Sequence, residues 1–290
     1  MTTLHLIERE VKQLIHQIPP LPGAVIRLIE LVDSENATAE QVESLIVADP
    51  VLTAKVLHLA NSAYYGLSRS ISTIKQALLV LGFHAVKNLA LGIAAITVLK
   101  NGRTPTPHEL ELWEHSFLCA GIARELMLRL KRGARKAEEA FMGGLLHEIG
   151  IVVLMTRFPR EYQKVLEYAR KPQSEAFSLI EAERQLLGTD HAQVGGLLAE
   201  RWELPNELVE VIASHHAPAL PDNEHAPVLA SVMMGDFWSH QQHGETEFGF
   251  MITPPPVEAS QQFALPESER AALVQRIAEQ ARAMRQIVVG

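Results

Sequence analysis

Phe141-Met142-Gly143-Gly144-Leu145-Leu146-His147-Glu148-Ile149-Gly150 is the stretch on which the reading of this chain turns. Ala140, Gly143 and Gly144 lie seven, four and three residues before His147 and so share its face of a helix. That face is almost bare of side chains, so a neighbouring helix or a ligand can approach the backbone closely. Leu145, Leu146 and Ile149 supply apolar packing, and Gly150 is placed to end the helix in a left-handed cap. A histidine next to a carboxylate is expensive to bury without partners. A divalent metal would satisfy both, since imidazole and carboxylate are ordinary ligands. Taken alone, the pair reads more simply as a core histidine beside a solvated glutamate.

The surrounding chain is helical throughout. Leu4 to Gln17 places Leu4, Ile7, Val11, Leu14, Ile15 and Ile18 on one stripe, and Pro19, Pro20 and Pro22 break it. A second helix is predicted from Gly23 to Val32. Thr38 with Gln41 is a capping-box pair opening a third, and Asp49-Pro50 opens a fourth that reaches Ala60. Further helices are predicted over Thr73–Leu81 and over Phe83–Leu99, the latter apolar almost all round and therefore buried. Asn101 to Pro107 is polar and proline-containing, the best candidate boundary between two lobes. Beyond it, helices are expected over Glu109–Lys131, Lys136–Ile149, Ile151–Thr156, Arg160–Ala169, Ser174–Leu187, Asp190–Trp202, Pro205–His215 and Val228–His240. Gly244 to Pro266 reads as loop. Glu267 to Ile287 is a closing helix with Leu273, Ile277, Ala281 and Met284 on one side, a stripe that fits docking or dimerisation equally well. The expected fold class is all-α, a two-lobed helical bundle.

Composition narrows the function. The 290 residues are 47% hydrophobic and 21% charged, an ordinary globular balance with ample material for a core. A net charge of −8 argues against bulk attraction to nucleic acid or to anionic lipid. The local basic group Arg124, Arg129, Lys131, Arg132, Arg135 and Lys136 surrounds a helix end and turn, where cations usually complement the dipole. Cys119 is the only cysteine, which excludes an intramolecular disulfide framework, and it reads as a small buried hydrophobe. Met1 to Glu10 lacks a signal-peptide pattern, and Leu89 to Leu99 is too short to cross a bilayer, so a cytoplasmic protein without membrane insertion is expected.

Several apolar stripes carry a polar intruder. His115 shares a face with Leu118, Cys119, Ile122 and Leu126, and His191 with Val194, Gly195, Leu198 and Trp202. His215 follows Leu208, Val211 and Ile212. His216 follows Val209, Ile212 and Ala213, and Asp236 follows Leu229, Val232 and Met233. Each alone has a dull explanation as a satisfied core or helix-end group. Together they match the way helix bundles build metal sites from inward-projecting side chains.

In this setting the chain resembles the HDOD domain, a bacterial signalling module related to HD-domain phosphohydrolases. The resemblance runs through Leu21-Pro22, Val47-Ala48-Asp49-Pro50-Val51-Leu52, Leu57, Asn61-Ser62-Ala63-Tyr64-Tyr65-Gly66, Ile74-Lys75-Gln76-Ala77 and Leu81-Gly82. It continues through Trp113-Glu114-His115-Ser116, Gly144 to Gly150, Leu187-Gly188-Thr189-Asp190-His191, Trp202-Glu203-Leu204-Pro205 and His215-His216. It implies an HDOD region over 18–216, with a first lobe over about 18–102 and an HD-like lobe over about 107–216. Residues 217–290 would complete the second lobe and add the terminal helix.

The resemblance also implies roles. In catalytic HD relatives, helical His and Asp residues hold one or two metals that activate water against a phosphoester. The matching positions are His115, His147, Glu148, His191, His215, His216 and Asp236, with iron, manganese or magnesium as the implied divalent metal. Two departures count against catalysis: Glu148 stands where the phosphohydrolases carry a metal-bridging aspartate, and Ile151 stands where many cyclic-dinucleotide phosphodiesterases carry lysine. His215-His216-Ala217-Pro218 also lacks the Gly-Tyr-Pro continuation of the cyclic di-GMP-hydrolysing branch. The expected function is therefore regulatory, acting through contacts with signalling proteins and without turnover. The alternatives are a metal-dependent phosphohydrolase and a sensor that binds a metal, a nucleotide or a second messenger.

Overall fold

Side-chain caps open six of the described helices. The computed structural model describes residues 10–34, 36–62, 64–169, 178–243 and 254–289, and no β-strand appears among them. A helical segment α1 covers residues 10–15; the expected stripe positions Leu4 and Ile7 lie outside the described residues. There follow α2 (Gly23–Asp33), α3 (Ala39–Val47), α4 (Pro50–Ala60), α5 (Ile74–Leu81) and α6 (Phe83–Lys100). Then come α7 (Pro107–Arg129), α8 (Ala134–Leu146), α9 (Ile149–Arg157), α10 (Pro159–Ala169), α11 (Leu179–Leu187) and α12 (His191–Arg201). The chain continues as α13 (Asn206–Ser214), α14 (Ala226–His243), α15 (Val257–Gln262) and α16 (Glu267–Val289).

The expected caps form. Thr38 and Gln41 make the reciprocal capping box of α3, and Asp49 accepts hydrogen bonds from the amides of Val51 and Leu52 ahead of Pro50. Thr106 and Glu109 make a second box, which starts α7 at Pro107, two residues earlier than the apolar pattern suggests. Asp190 accepts from the amide of Gln193 to open α12. Part of the expected Gly244–Pro266 loop is the short helix α15, while residues 244–253 lie outside the described set.

The central stretch departs from expectation. The sequence predicts a single helix up to Ile149 with Gly150 as its left-handed cap. Instead α8 stops at Leu146, His147 and Glu148 form the turn, and α9 resumes at Ile149 with Gly150 inside it. Gly150 does not have a positive φ. Its lack of a side chain serves close approach, because a Cβ there would stand 1.9 Å from the carbonyl oxygen of His191.

Packing centres on α7, which touches α8, α14 and α16. A Cβ on Gly144 would meet the backbone of Ala120 at 2.6 Å, and one on Gly235 would meet the carbonyl of Cys119 at 2.7 Å. These glycines let α8 and α14 lie almost on the α7 backbone. The buried apolar residues form one contact network from Val11 to Met284, so the two ends of the chain share a core. The last helix docks back: Leu273, Ile277, Ala281 and Met284 are buried, with α16 on α7. Arg124 of the basic group is an interior partner, bound to Glu138 at 2.7 Å and lying near the ring faces of Tyr64 and Tyr65. Cys119 is fully buried, as expected.

Two stretches, Phe83–Lys100 and Ala134–Arg157, are long and apolar enough to cross a membrane. Within the fold they are 67% and 83% buried, respectively, so internal packing accounts for their apolar character.

Candidate metal centre

The seven side chains singled out from the sequence come together. They form two groups that share Glu148: one of Glu148, His191, His215 and His216, the other of His115, His147, Glu148 and Asp236. Within each group the ligand atoms lie within 4.8 Å of one another. Five of the seven occupy helix ends or turns. His147 and Glu148 are the turn between α8 and α9, His191 is the first residue of α12, and His215 and His216 follow α13. His115 and Asp236 project from within α7 and α14.

Glu148 occupies the junction. Its Oε2 is 3.3 Å from His191 Nε2 and 4.0 Å from His215 Nε2, while its Oε1 is 3.8 Å from His147 Nε2. The longer side chain of glutamate therefore still reaches both groups. Asp236 Oδ1 lies 3.1 Å from His115 Nε2 and 3.5 Å from His147 Nε2. His191 Nε2 is 3.2 Å from His215 Nε2 and 3.0 Å from His216 Nε2.

The outer nitrogen of four rings is already committed. His147 Nδ1–H donates to the Gly144 carbonyl at 2.7 Å, and His215 Nδ1–H donates to Ile212 at 2.8 Å. His191 Nδ1–H donates to Glu183 Oε2 at 2.6 Å, and Tyr162 donates its hydroxyl to the other oxygen of that carboxylate. The Ser239 hydroxyl donates its one proton to the Asp236 carbonyl, so His115 Nδ1–H must donate to Ser239 Oγ, 3.2 Å away. In the neutral ring each Nε2 then turns a lone pair inward. Orientation of ligating histidines by carboxylates and carbonyls is the usual support of a metal site.

What those lone pairs face is the test of fit. His115 Nε2 and His147 Nε2 point toward carboxylate oxygens, and His191 Nε2 points toward His215 Nε2, acceptor against acceptor. His115 Nε2, His147 Nε2, Glu148 Oε2 and Asp236 Oδ1 are all buried with no hydrogen-bond partner. Buried acceptors facing one another at these distances need a cation between them. The cluster can hold a divalent metal, and its nitrogen and oxygen donors suit several first-row ions.

The acidities agree. Burial, aided by His240, pushes His115 down to about 3. Burial and the neighbouring His191 push His216 to about 3, and burial with the surrounding imidazoles holds His215 well below its ordinary value. Burial also disfavours the imidazolium of His191, but the Glu183 and Glu148 carboxylates outweigh it and raise the group to about 10. His147 is raised in the same way by Glu148 and Asp236. Without metal, a proton is the cation these positions recruit.

The chain matches the family model described as the HDOD domain over residues 18–218. It belongs to the HDOD domain family. A solved HDOD domain protein of unknown function from Geobacter sulfurreducens is 26% identical, with a TM-score of 0.72 over 95% of this chain and 88% of that one. A protein from Marinobacter aquaeolei VT8, provisionally named a signal transduction protein, is 26% identical with a TM-score of 0.74, over 94% of this chain and 60% of that one. A protein from Shewanella amazonensis SB2B, provisionally named a phosphohydrolase, shares the fold at 24% identity and a TM-score of 0.70, over 96% of this chain and 97% of that one. An uncharacterized protein of Treponema pallidum (strain Nichols) is 26% identical over 81% of this HDOD chain, which spans 44% of that relative's length.

Three contributors were not read from the sequence. His240 lies one helical turn after Asp236, with Nε2 3.2 Å from Asp236 Oδ1. The spacing of four in Asp236-Phe237-Trp238-Ser239-His240 carries that signal. Glu183 is fully buried on α11 between Ile180 and Leu187, and this acidic intruder on an apolar stripe was legible. Tyr162, which reaches Glu183 of α11 from α10, carries none, since an aromatic on an amphipathic helix reads as core.

Proposed function

We propose that this HDOD protein is a metal-loaded signalling module, which holds divalent cations in its interior and acts through protein contacts without turning over a phosphoester. The reading rests on the burial of the paired site. The side chains of His147 and His215 are fully buried, His191 is 1% exposed, Glu148 5%, and His115 and Asp236 9%, and only His216 is half-buried. A hydrolytic site must admit its substrate and keep a coordination position for water. A shell of this kind suits retention of metal better than exchange of substrate.

The contact surface is drawn from the first helices. There α3, α4 and α5 pack on one another and leave Val47, Val51, Leu79 and Val80 between 50% and 76% exposed. Large apolar side chains held outward on a rigid helical layer suit recognition of a protein partner.

A second reading, a metal-dependent phosphohydrolase, is supported by Glu148 reaching both groups, as a metal-bridging carboxylate must. Elemental analysis of protein purified without chelators, followed by a phosphodiesterase screen in manganese, iron and magnesium, separates the two. Near-stoichiometric metal that His147→Ala loses, with no product formed, is the expected result. Turnover by the parent or by Glu148→Asp would establish the second reading. Absence of metal in the supplied parent would overturn both.

A further inference from the structure

We propose that the junction of the tyrosine turn after α4 with helices α7 and α8 is an opening seam, which closes over polar groups left without partners and opens when water reaches them. Its opening requires no ion and is independent of the metal-holding reading above.

The sequence places two adjacent phenols in a turn that is tied to the first helices. Asn61 makes the tie: its amide donates to the carbonyls of Leu57 at 2.8 Å and Ile71 at 2.7 Å, and its oxygen accepts from the Ile71 amide at 2.6 Å. Tyr64 packs on Phe141 of α8 with ring centroids 5.0 Å apart, and Tyr65 meets it edge-on at 4.9 Å. On the α7 side, a Cβ at Gly121 would stand 3.3 Å from the Tyr64 ring. Arg124 of α7 fills the wedge, 5.6 Å and 5.9 Å from the two ring centres, with Nε 2.7 Å from Glu138 Oε1 of α8.

Inside the wedge the partners run short. The Tyr65 hydroxyl, Ser62 Oγ and Glu138 Oε2 are all buried with no hydrogen-bond partner. Burial and the Glu138 carboxylate push the Tyr65 hydroxyl well above its ordinary value, and burial raises Glu138 in spite of Arg124. Each such group has given up hydration without replacement. Ser62 and Tyr65 are only half-buried as residues, so a small displacement of the turn lets water reach their hydroxyls. Aromatic and cation–π contact favours the closed seam, and the unpaired groups oppose it. The seam also joins two regions. Val51 of α4 and Leu79 and Val80 of α5 are exposed, and Asn61 links the ends of those helices to the turn. On the other side α7 carries His115 and α8 leads into His147. A partner seated on α4 and α5 would bear on both helices through the turn.

Acetylation of the full chain with N-acetylimidazole, located by peptide mass, tests this. Tyr162 is the closed reference, fully buried and bonded to Glu183, and Tyr168, bonded to Gln185 at the surface, is the open one. Tyr65 should react at least about tenfold faster than Tyr162, because a local opening needs less free energy than global unfolding. Ser62→Ala removes one unpaired hydroxyl and should slow Tyr65 by about tenfold while leaving Tyr162 unchanged. If Tyr65 in the parent is as protected as Tyr162, the seam stays shut and the proposal falls. It falls equally if Ser62→Ala leaves the rate at Tyr65 unchanged or raises it, since the unpaired groups would then not be what opens the seam.

Discussion

The α-carbon of Gly150 faces the carbonyl oxygen of His191 so closely that a side chain of any size would overlap it. A Cβ at Gly150 would also stand 2.7 Å from the His191 carbonyl carbon and 2.9 Å from the Gly195 amide nitrogen. These neighbours are backbone atoms at the start of α12 and cannot swing aside. Gly150→Ala is expected to cost at least about 3 kcal/mol, beyond the usual range for overpacking. It should also displace His191 and reduce metal content. Urea denaturation with elemental analysis measures both, and a loss below about 1 kcal/mol with full metal content would contradict the contact.

Glu183 positions His191 twice, through its backbone amide at 2.9 Å and through Nδ1 at 2.6 Å. Glu183→Gln keeps the shape but removes the charge that supports ligand basicity. The expected effect is a roughly 10- to 100-fold loss of manganese affinity by calorimetry, as for other supporting partners of ligating histidines. Equal affinity in the variant would remove Glu183 from the site.

Metal should stabilise the fold by linkage, because the ligands come from α7, α12, α14 and the turns after α8 and α13. Manganese at a hundred times its dissociation constant should add about 2.7 kcal/mol, or roughly 5–10 °C in Tm. Calorimetric scans of chelator-treated and reloaded protein give the comparison. Coincident transitions would argue that the histidines are packing residues alone.

Acid sensitivity should have one source away from the centre. Burial disfavours the Glu109 carboxylate, but Arg103 at 3.0 Å and the Thr106 cap outweigh it and hold its pKa below the ordinary value. A carboxylate depressed in the folded state adds stability that is present above the unfolded pKa, about 4.3. That contribution is lost as pH falls through the folded value. Between pH 5 and pH 3 the parent should therefore lose stability more steeply than Glu109→Gln. Parallel slopes in denaturant titrations would exclude this contribution.

The sequence determined the parts whose physics is local. Thr38 with Gln41, Asp49 with Pro50, and Asp190 with Gln193 fix helix starts through hydrogen bonds that span three residues or fewer. The helical class, the buried character of α6 and the inward faces of His115, His191, His215, His216 and Asp236 follow from periodicity, whereas Glu148 entered the candidate set through the family resemblance. Only the tertiary structure decided that Glu148 stands between two groups and that α16 docks on α7. It also decided that the His147-Glu148 pair breaks its helix, with Gly150 serving as a contact surface for α12. These outcomes depend on the angles at which separate helices cross and on how closely glycines let them approach. Such distances arise between residues far apart in the chain, and no stripe or cap within one segment encodes them.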